Sequence, residues 1–180
     1  MKQVQLLRTI TDSDFDGGNP EFMQRVSRHA SRGVLVNDHL QVAMMYMTKL
    51  KLYKLPGGGV EAGEDVADAF LREIREETGC MASILHELGY IDEHKNRNQF
   101  FQRSYSYIAK VVDLPGVTSL TDNEIMLGMQ VKWVHIKQAI MFMNSTVSDY
   151  STRFMLLRDR IILEEATQWL MTNKNLHRGI

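Results

Sequence analysis

A chain of 180 residues is long enough for one domain with its own core, and 44% hydrophobic with 24% charged residues excludes a disordered polymer. Its 21 basic and 22 acidic residues leave a net charge of −1, so no global field draws it to a nucleic acid polymer or an anionic membrane. The longest apolar run, residues 42–47, is far short of a bilayer span, and a lone cysteine, Cys80, cannot close an internal disulfide. With no sustained apolar stretch at the N-terminus, the expectation is a cytoplasmic protein.

In chain order, residues 4–10 read as a short strand, followed by a polar stretch over 11–18 and a weakly helical segment over 21–27. Residues 28–36 and 40–47 read as two strands joined at Asn37-Asp38. A third strand, 52–55, is stopped by Pro56 and three glycines. Val66, Ala69, Phe70 and Ile74 recur at the 3.6-residue period, which predicts a helix over 65–78 capped by Gly79. Strands follow over 84–91, 99–112 and 130–135, then a short helix over 137–143. A long helix over 152–171 completes the chain, with Ser151 as its N-cap. This order predicts an α+β or mixed α/β domain with helices on a mixed sheet. Residues 28–180 form that domain, and residues 1–27 are an extension that supplies an extra strand or a dimer contact.

Two motifs are decoys. Asp12-Ser13-Asp14-Phe15-Asp16-Gly17 copies the start of a calcium loop, but Met23 stands where the bidentate acid belongs and Pro20 interrupts it. Gly57 to Ala62 fits a permissive dinucleotide pattern, yet Gly63-Glu64-Asp65 enter the helix in place of apolar packing residues.

Charge is unevenly placed. Residues 57–80 hold seven acids against two bases, so this segment is −5 and the remaining chain is +4. On the predicted helix Glu73, Glu76 and Glu77 stand at i, i+3 and i+4 and share one face. Phe70 and Ile74 define the neighbouring face, which can bury itself against a sheet. Close carboxylates repel unless something positive sits among them, and a hard divalent cation suits oxygen donors. Glu64 can fold back to the same face, and Arg72 can orient one carboxylate. Gly57 to Gly59 let the main chain come close.

Gly58, five residues, Glu64, seven residues, then Arg72-Glu73-Ile74-Arg75-Glu76-Glu77-Thr78-Gly79-Cys80 resembles the Nudix box, G-x5-E-x7-R-E-U-x-E-E-x-G-U. All fixed positions match, and chance would produce this on the order of once in a million chains. The one departure is Cys80 at the last apolar position, where cysteine serves as a small hydrophobe. The resemblance implies an α/β/α sandwich with a mixed sheet and a loop–helix–loop catalytic motif. It implies an enzyme, a pyrophosphohydrolase that uses Mg²⁺ or Mn²⁺ to cleave a nucleoside diphosphate linked to another moiety. Carried onto this chain, Glu76 and Glu77 are the main metal ligands. Glu73 is a ligand or the water-activating base, Glu64 a further ligand, and the Gly57 carbonyl a main-chain ligand. Glu124, ahead of the last predicted strand, is a candidate catalytic carboxylate. Arg32 and Arg103 are candidates for the substrate's phosphates, and Tyr105 for stacking. The implied partner is a small diphosphate compound, and assembly as a homodimer stays open. Subgroup signatures for ADP-ribose and dinucleoside polyphosphates are missing at Lys95, Asn96, Arg97 and Asn98, which leaves triphosphates, nucleotide sugars and other diphosphates open. The alternative is a nucleotide-binding sensor on the same scaffold, which lost box glutamates would favour; none is lost.

Overall fold

The computed structural model describes residues 4–113 and 115–173. In chain order the first elements are β1 (Leu6–Thr11), α1 (Ser13–Asp16), β2 (Arg28–Val36), β3 (Gln41–Met47), β4 (Leu52–Lys54) and β5 (Gly57–Gly59). Next come α2 (Val66–Thr78), β6 (Ala82–Lys95), a 3-10 turn at Asn96–Asn98 and β7 (Phe100–Val111). The chain continues through α3 (Asp122–Met126), β8 (Met129–His135), α4 (Ile136–Phe142) and α5 (Tyr150–Thr172).

The side-chain period of two places Val34 and Val36 in one core and Leu35 in the other, so β2 is covered on both faces. It runs parallel to β7 from Arg28 opposite Gln102 to Val36 opposite Lys110. β7 folds back antiparallel on β6, and β1 lies parallel along the outer edge of β6. The strand order is β1-β6-β7-β2-β3-β4, with β5 paired to β2 and β8 to β3. Helix α2 buries Phe70 and Ile74 against Leu35, Ala43 and Tyr107 on one face. On the other face α4 and α5 bring Ala139, Phe154, Ile162 and Leu163 onto Val34, Met44 and Ile108. Each fully buried aliphatic or aromatic side chain is worth about 1.5–3 kcal/mol relative to exposure. The result is a helix–sheet–helix sandwich on a mixed sheet, as expected.

Four local expectations are corrected. Residues 21–27 are not helical: the Met23 N–H donates to His94 Nδ1 at 3.0 Å and the Ser27 N–H to the Phe101 carbonyl at 2.7 Å, so these backbone donors serve the sheet. Gly57–Gly59, read as a strand stop, form β5, because bare backbone can press against β2; a Cβ at Gly57 would meet Arg32 Cβ at 2.4 Å. Residues 122–126, read as loop, form α3, whose Thr121–Glu124 capping box satisfies both end donors. The N-cap of α5 is Asp149, not Ser151: its Oδ2 accepts from the Thr152 N–H at 2.8 Å.

Candidate active site

Helix α2 starts at Asp65, whose Oδ1 accepts from the Ala67 N–H at 2.8 Å. It ends at Gly79, where φ is +73° and the N–H returns to the Arg75 carbonyl at 3.0 Å. With Phe70 and Ile74 holding one stripe to the sheet, the next stripe carries Glu73, Glu76 and Glu77.

Arg72 organises this stripe with a forked guanidinium. Its Nε donates to Glu64 Oε1 at 2.8 Å, and its Nη1 to Glu73 Oε1 at 3.0 Å and Glu76 Oε2 at 3.1 Å. Its Nη2 reaches the Gly59 carbonyl at 2.9 Å, tying helix to loop. Glu77 is buried, and its Oε2 accepts from the Gly57 N–H at 2.8 Å. Its Oε1 pairs with Lys54 Nζ at 2.6 Å, and the same ammonium donates to the Gly57 carbonyl at 3.3 Å. The structure therefore brings together Gly57, Glu64, Glu73, Glu76 and Glu77, with two cations between them.

Burial pushes the carboxyls of Glu73 and Glu77 above the usual carboxylate range, and the nearby Arg72 and Lys54 recover only part of that shift. Glu64 moves the other way, held low by hydrogen bonds from the Arg72 side chain. Among the described residues no three acidic or imidazole groups already close on one point as a metal cage, because Arg72 and Lys54 stand among them. The donors nevertheless fit a hard divalent cation: four carboxylates and a carbonyl, all oxygen. Gly58 keeps the space beside them open, since a Cβ there would meet Glu73 Oε1 at 2.4 Å.

A cavity of about 340 Å³ opens between the Gly57–Gly58 loop and the first turn of α5. Arg28, Arg32, Lys54, Lys95 and Arg158 line it, together with Glu124. Glu124 thus stands in the cavity that touches Gly57 and Gly58, while its Oε2 also accepts from the Thr121 N–H at 2.8 Å. Arg103 and Tyr105 lie elsewhere. Tyr105 sits in register with Ser31, whose hydroxyl donates to the Val66 carbonyl, so both are on the α2 face of the sheet. Arg103, on that same face, is held by two 2.8 Å hydrogen bonds to Asp92 and lies over the Tyr90 ring at 4.3 Å. Neither lines the Arg32 cavity.

The sequence reading missed Lys54, Lys95 and Arg158. One signal was available: Arg158 and Asp159 interrupt an apolar helix on the stripe that holds Phe154, Ile162 and Leu163, and charge at such positions needs partners.

The NUDIX domain family model matches residues 27–154, most of the chain, and the protein belongs to the Nudix hydrolase family. A putative 8-oxo-dGTP diphosphatase of Bacillus subtilis (strain 168) is 27% identical over 110 residues, covering 61% of this chain and 68% of that protein. Human diphosphoinositol polyphosphate phosphohydrolase 3-beta is 28% identical over 86 residues, covering 48% of this chain and 49% of its own length, so about half of that relative is matched. A NUDIX hydrolase from Nitrosomonas europaea superposes with a TM-score of 0.55 at 17% identity, over 81% of this chain and 89% of that one, a likeness of fold. Among the described residues no helix is long and apolar enough to cross a membrane.

Proposed function

We propose that this protein hydrolyses the phosphoanhydride bond of a nucleoside diphosphate linked to another moiety, with Mg²⁺ or Mn²⁺ as cofactor. The observation that carries the reading is the meeting of two features: the carboxylates of Glu64, Glu73, Glu76 and Glu77 crowd the Gly57–Gly59 loop, and a cationic cavity lined by Gly57 and Gly58 opens beside the same loop. An acidic face alone repels a phosphate chain, and a basic cavity alone binds without cleaving. Glu76 and Glu77 would hold the divalent ion, with Glu73, Glu64 and the Gly57 carbonyl as further ligands. When bound, the ion neutralises phosphate oxygens and makes water a stronger acid.

The remaining steps belong to the chain. Arg72 fixes the carboxylate rotamers so that little reorganisation is needed on binding. Arg32 and Lys54, from the cavity wall, neutralise phosphate oxygens and hold the chain in line. A water proton passes to the Glu124 carboxylate, with Glu73 as the second candidate, while the water oxygen forms its bond to phosphorus. The bridging P–O bond breaks, and its electron pair leaves on the departing phosphate.

The test is product analysis with nucleoside triphosphates, nucleotide sugars and other diphosphate compounds, in Mg²⁺ and in excess chelator. Cleavage at an anhydride in Mg²⁺ that chelator abolishes is expected. Tight nucleotide binding without turnover of any compound would instead make the protein a sensor.

A further inference from the structure

The run Lys54-Leu55-Pro56-Gly57 sets the position of Glu77. At one end the Lys54 ammonium holds Glu77 Oε1 at 2.6 Å, and at the other the Gly57 N–H holds Oε2 at 2.8 Å. The Gly57 carbonyl, one of the oxygen donors of the site, belongs to the same run. Any shift of the chain between these two grips moves both of them against α2.

Between the grips the main chain has one donor to spend, the Leu55 N–H, because Pro56 carries none. Leu55 is fully buried, so water cannot take that donor. It donates instead to Asp159 Oδ2 at 2.8 Å, a residue in the middle of α5 and 104 positions away in the chain. Asp159 is itself fully buried, and its Oδ1 accepts from Arg158 Nε at 2.8 Å, which fixes the carboxylate's rotamer. The next carbonyl, that of Pro56, accepts from the Gly33 N–H of β2 at 3.2 Å. The run is therefore held from α5 at Leu55 and from the sheet at Pro56.

Resting on the hydrolase reading above, we infer that Asp159 is a positioning residue for the metal-binding end of the site. It does not line the cavity; it acts through the Leu55 amide, which sets Lys54 and Gly57 against Glu77. Without it the Leu55 N–H is buried and unpaired, and the run must move to find another acceptor. A displacement of about 1 Å at the reacting groups is enough to cost on the order of 10²-fold in rate. Loss of a group that orients a metal ligand costs about 10–100-fold in metal affinity. Helix α5 thus does more than cover the sheet: it carries the pin that registers the loop with α2.

Two measurements test this. Calorimetry of Mn²⁺ binding without substrate, beside melting temperatures, compares wild type with Asp159→Leu, Asp159→Asn and Ile162→Ala. Asparagine keeps an oxygen for the Leu55 N–H but gives up the charge that answers Arg158, and leucine gives up both. Ile162→Ala removes only packing from the same helix. All three should lower the melting temperature. Asp159→Leu should weaken Mn²⁺ binding about tenfold or more, Asp159→Asn less than about threefold, and Ile162→Ala not at all. At saturating Mg²⁺, kcat of Asp159→Leu should fall about tenfold or more with KM little changed. The second measurement uses wild type alone and decides the matter if the leucine variant does not fold. Because coupling is reciprocal, saturating Mg²⁺ should slow hydrogen exchange more at the Leu55 amide than at the Ile162 amide. Mn²⁺ affinity undiminished in Asp159→Leu, or lowered as much by Ile162→Ala, overturns the inference and leaves the hydrolase reading intact. Equal slowing at the two amides overturns it as well. Mn²⁺ binding that depends on Asp159 in a protein that cleaves no diphosphate compound overturns the hydrolase reading alone. Wild type that binds no Mn²⁺ overturns both.

Discussion

At Arg72 one guanidinium serves three carboxylates and a carbonyl, because its donors fan out in a plane while the glutamates at i+1 and i+4 and the returning Glu64 surround it. Glu124 combines two tasks in a smaller space: it closes the capping box of α3 and it faces the cavity. Glutamine at that position keeps the N3 side chain that the box needs but cannot take a proton. Glu124→Gln is therefore expected to lower kcat by about 10²-fold or more with KM little changed, as steady-state kinetics would read. An undiminished kcat would reduce Glu124 to a capping residue. The box glutamates were legible in the sequence because helix periodicity alone puts Glu73, Glu76 and Glu77 on one stripe. Lys54 was not, since its role depends on β4 lying beside the Gly57 loop, a contact between segments that no local pattern encodes.

Among the elements, α2 was the most legible, with its apolar stripe and C-terminal glycine agreeing. Residues 21–27 were the least, because their pattern hints at a helix while their hydrogen bonds go to distant strands. His94 on β6 anchors them: its Nδ1 accepts the Met23 N–H and its ring meets Phe22 edge-on at 5.6 Å. Burial lowers the His94 pKa, opposed by Asp92 and aided by Arg103. A depressed histidine stabilises the fold fully above its unfolded pKa of about 6.5, and that contribution is lost as pH falls through the folded value. Protonation of Nδ1 also removes the acceptor for Met23. Hydrogen exchange should therefore show the Met23 amide losing protection as pH falls below about 6.5, ahead of the amides of α2. Equal loss in both places would mean that His94 is not the anchor.

Across the whole molecule, the sheet and its two helical layers followed from strand–helix order and the resemblance to the Nudix box. The charged network that locks α5 to the sheet did not. Glu93 accepts from Gln102 at 2.8 Å, Ser104 at 3.2 Å and Arg158 at 3.3 Å, while Asp159 accepts from the Leu55 N–H at 2.8 Å. Burial raises the Glu93 carboxyl, but Arg158, Lys95 and Arg32 outweigh it and hold it below the usual range. Its stabilisation is thus complete above the unfolded pKa of about 4.3 and is lost as pH falls through the folded value. Glu93→Gln should cost about 3–5 kcal/mol by urea unfolding at pH 7, because it leaves buried cations uncompensated. At pH 3 the gap between variant and wild type should narrow; a gap independent of pH would contradict the account. The central claim, that the carboxylates of α2 make a metal-dependent catalyst, is tested most directly by Glu77→Gln beside wild type at saturating Mg²⁺ and substrate. This change keeps the side chain's shape and removes one ligand charge, so kcat should fall by about 10²-fold or more while the protein stays folded. Equal rates for the two proteins would contradict the account.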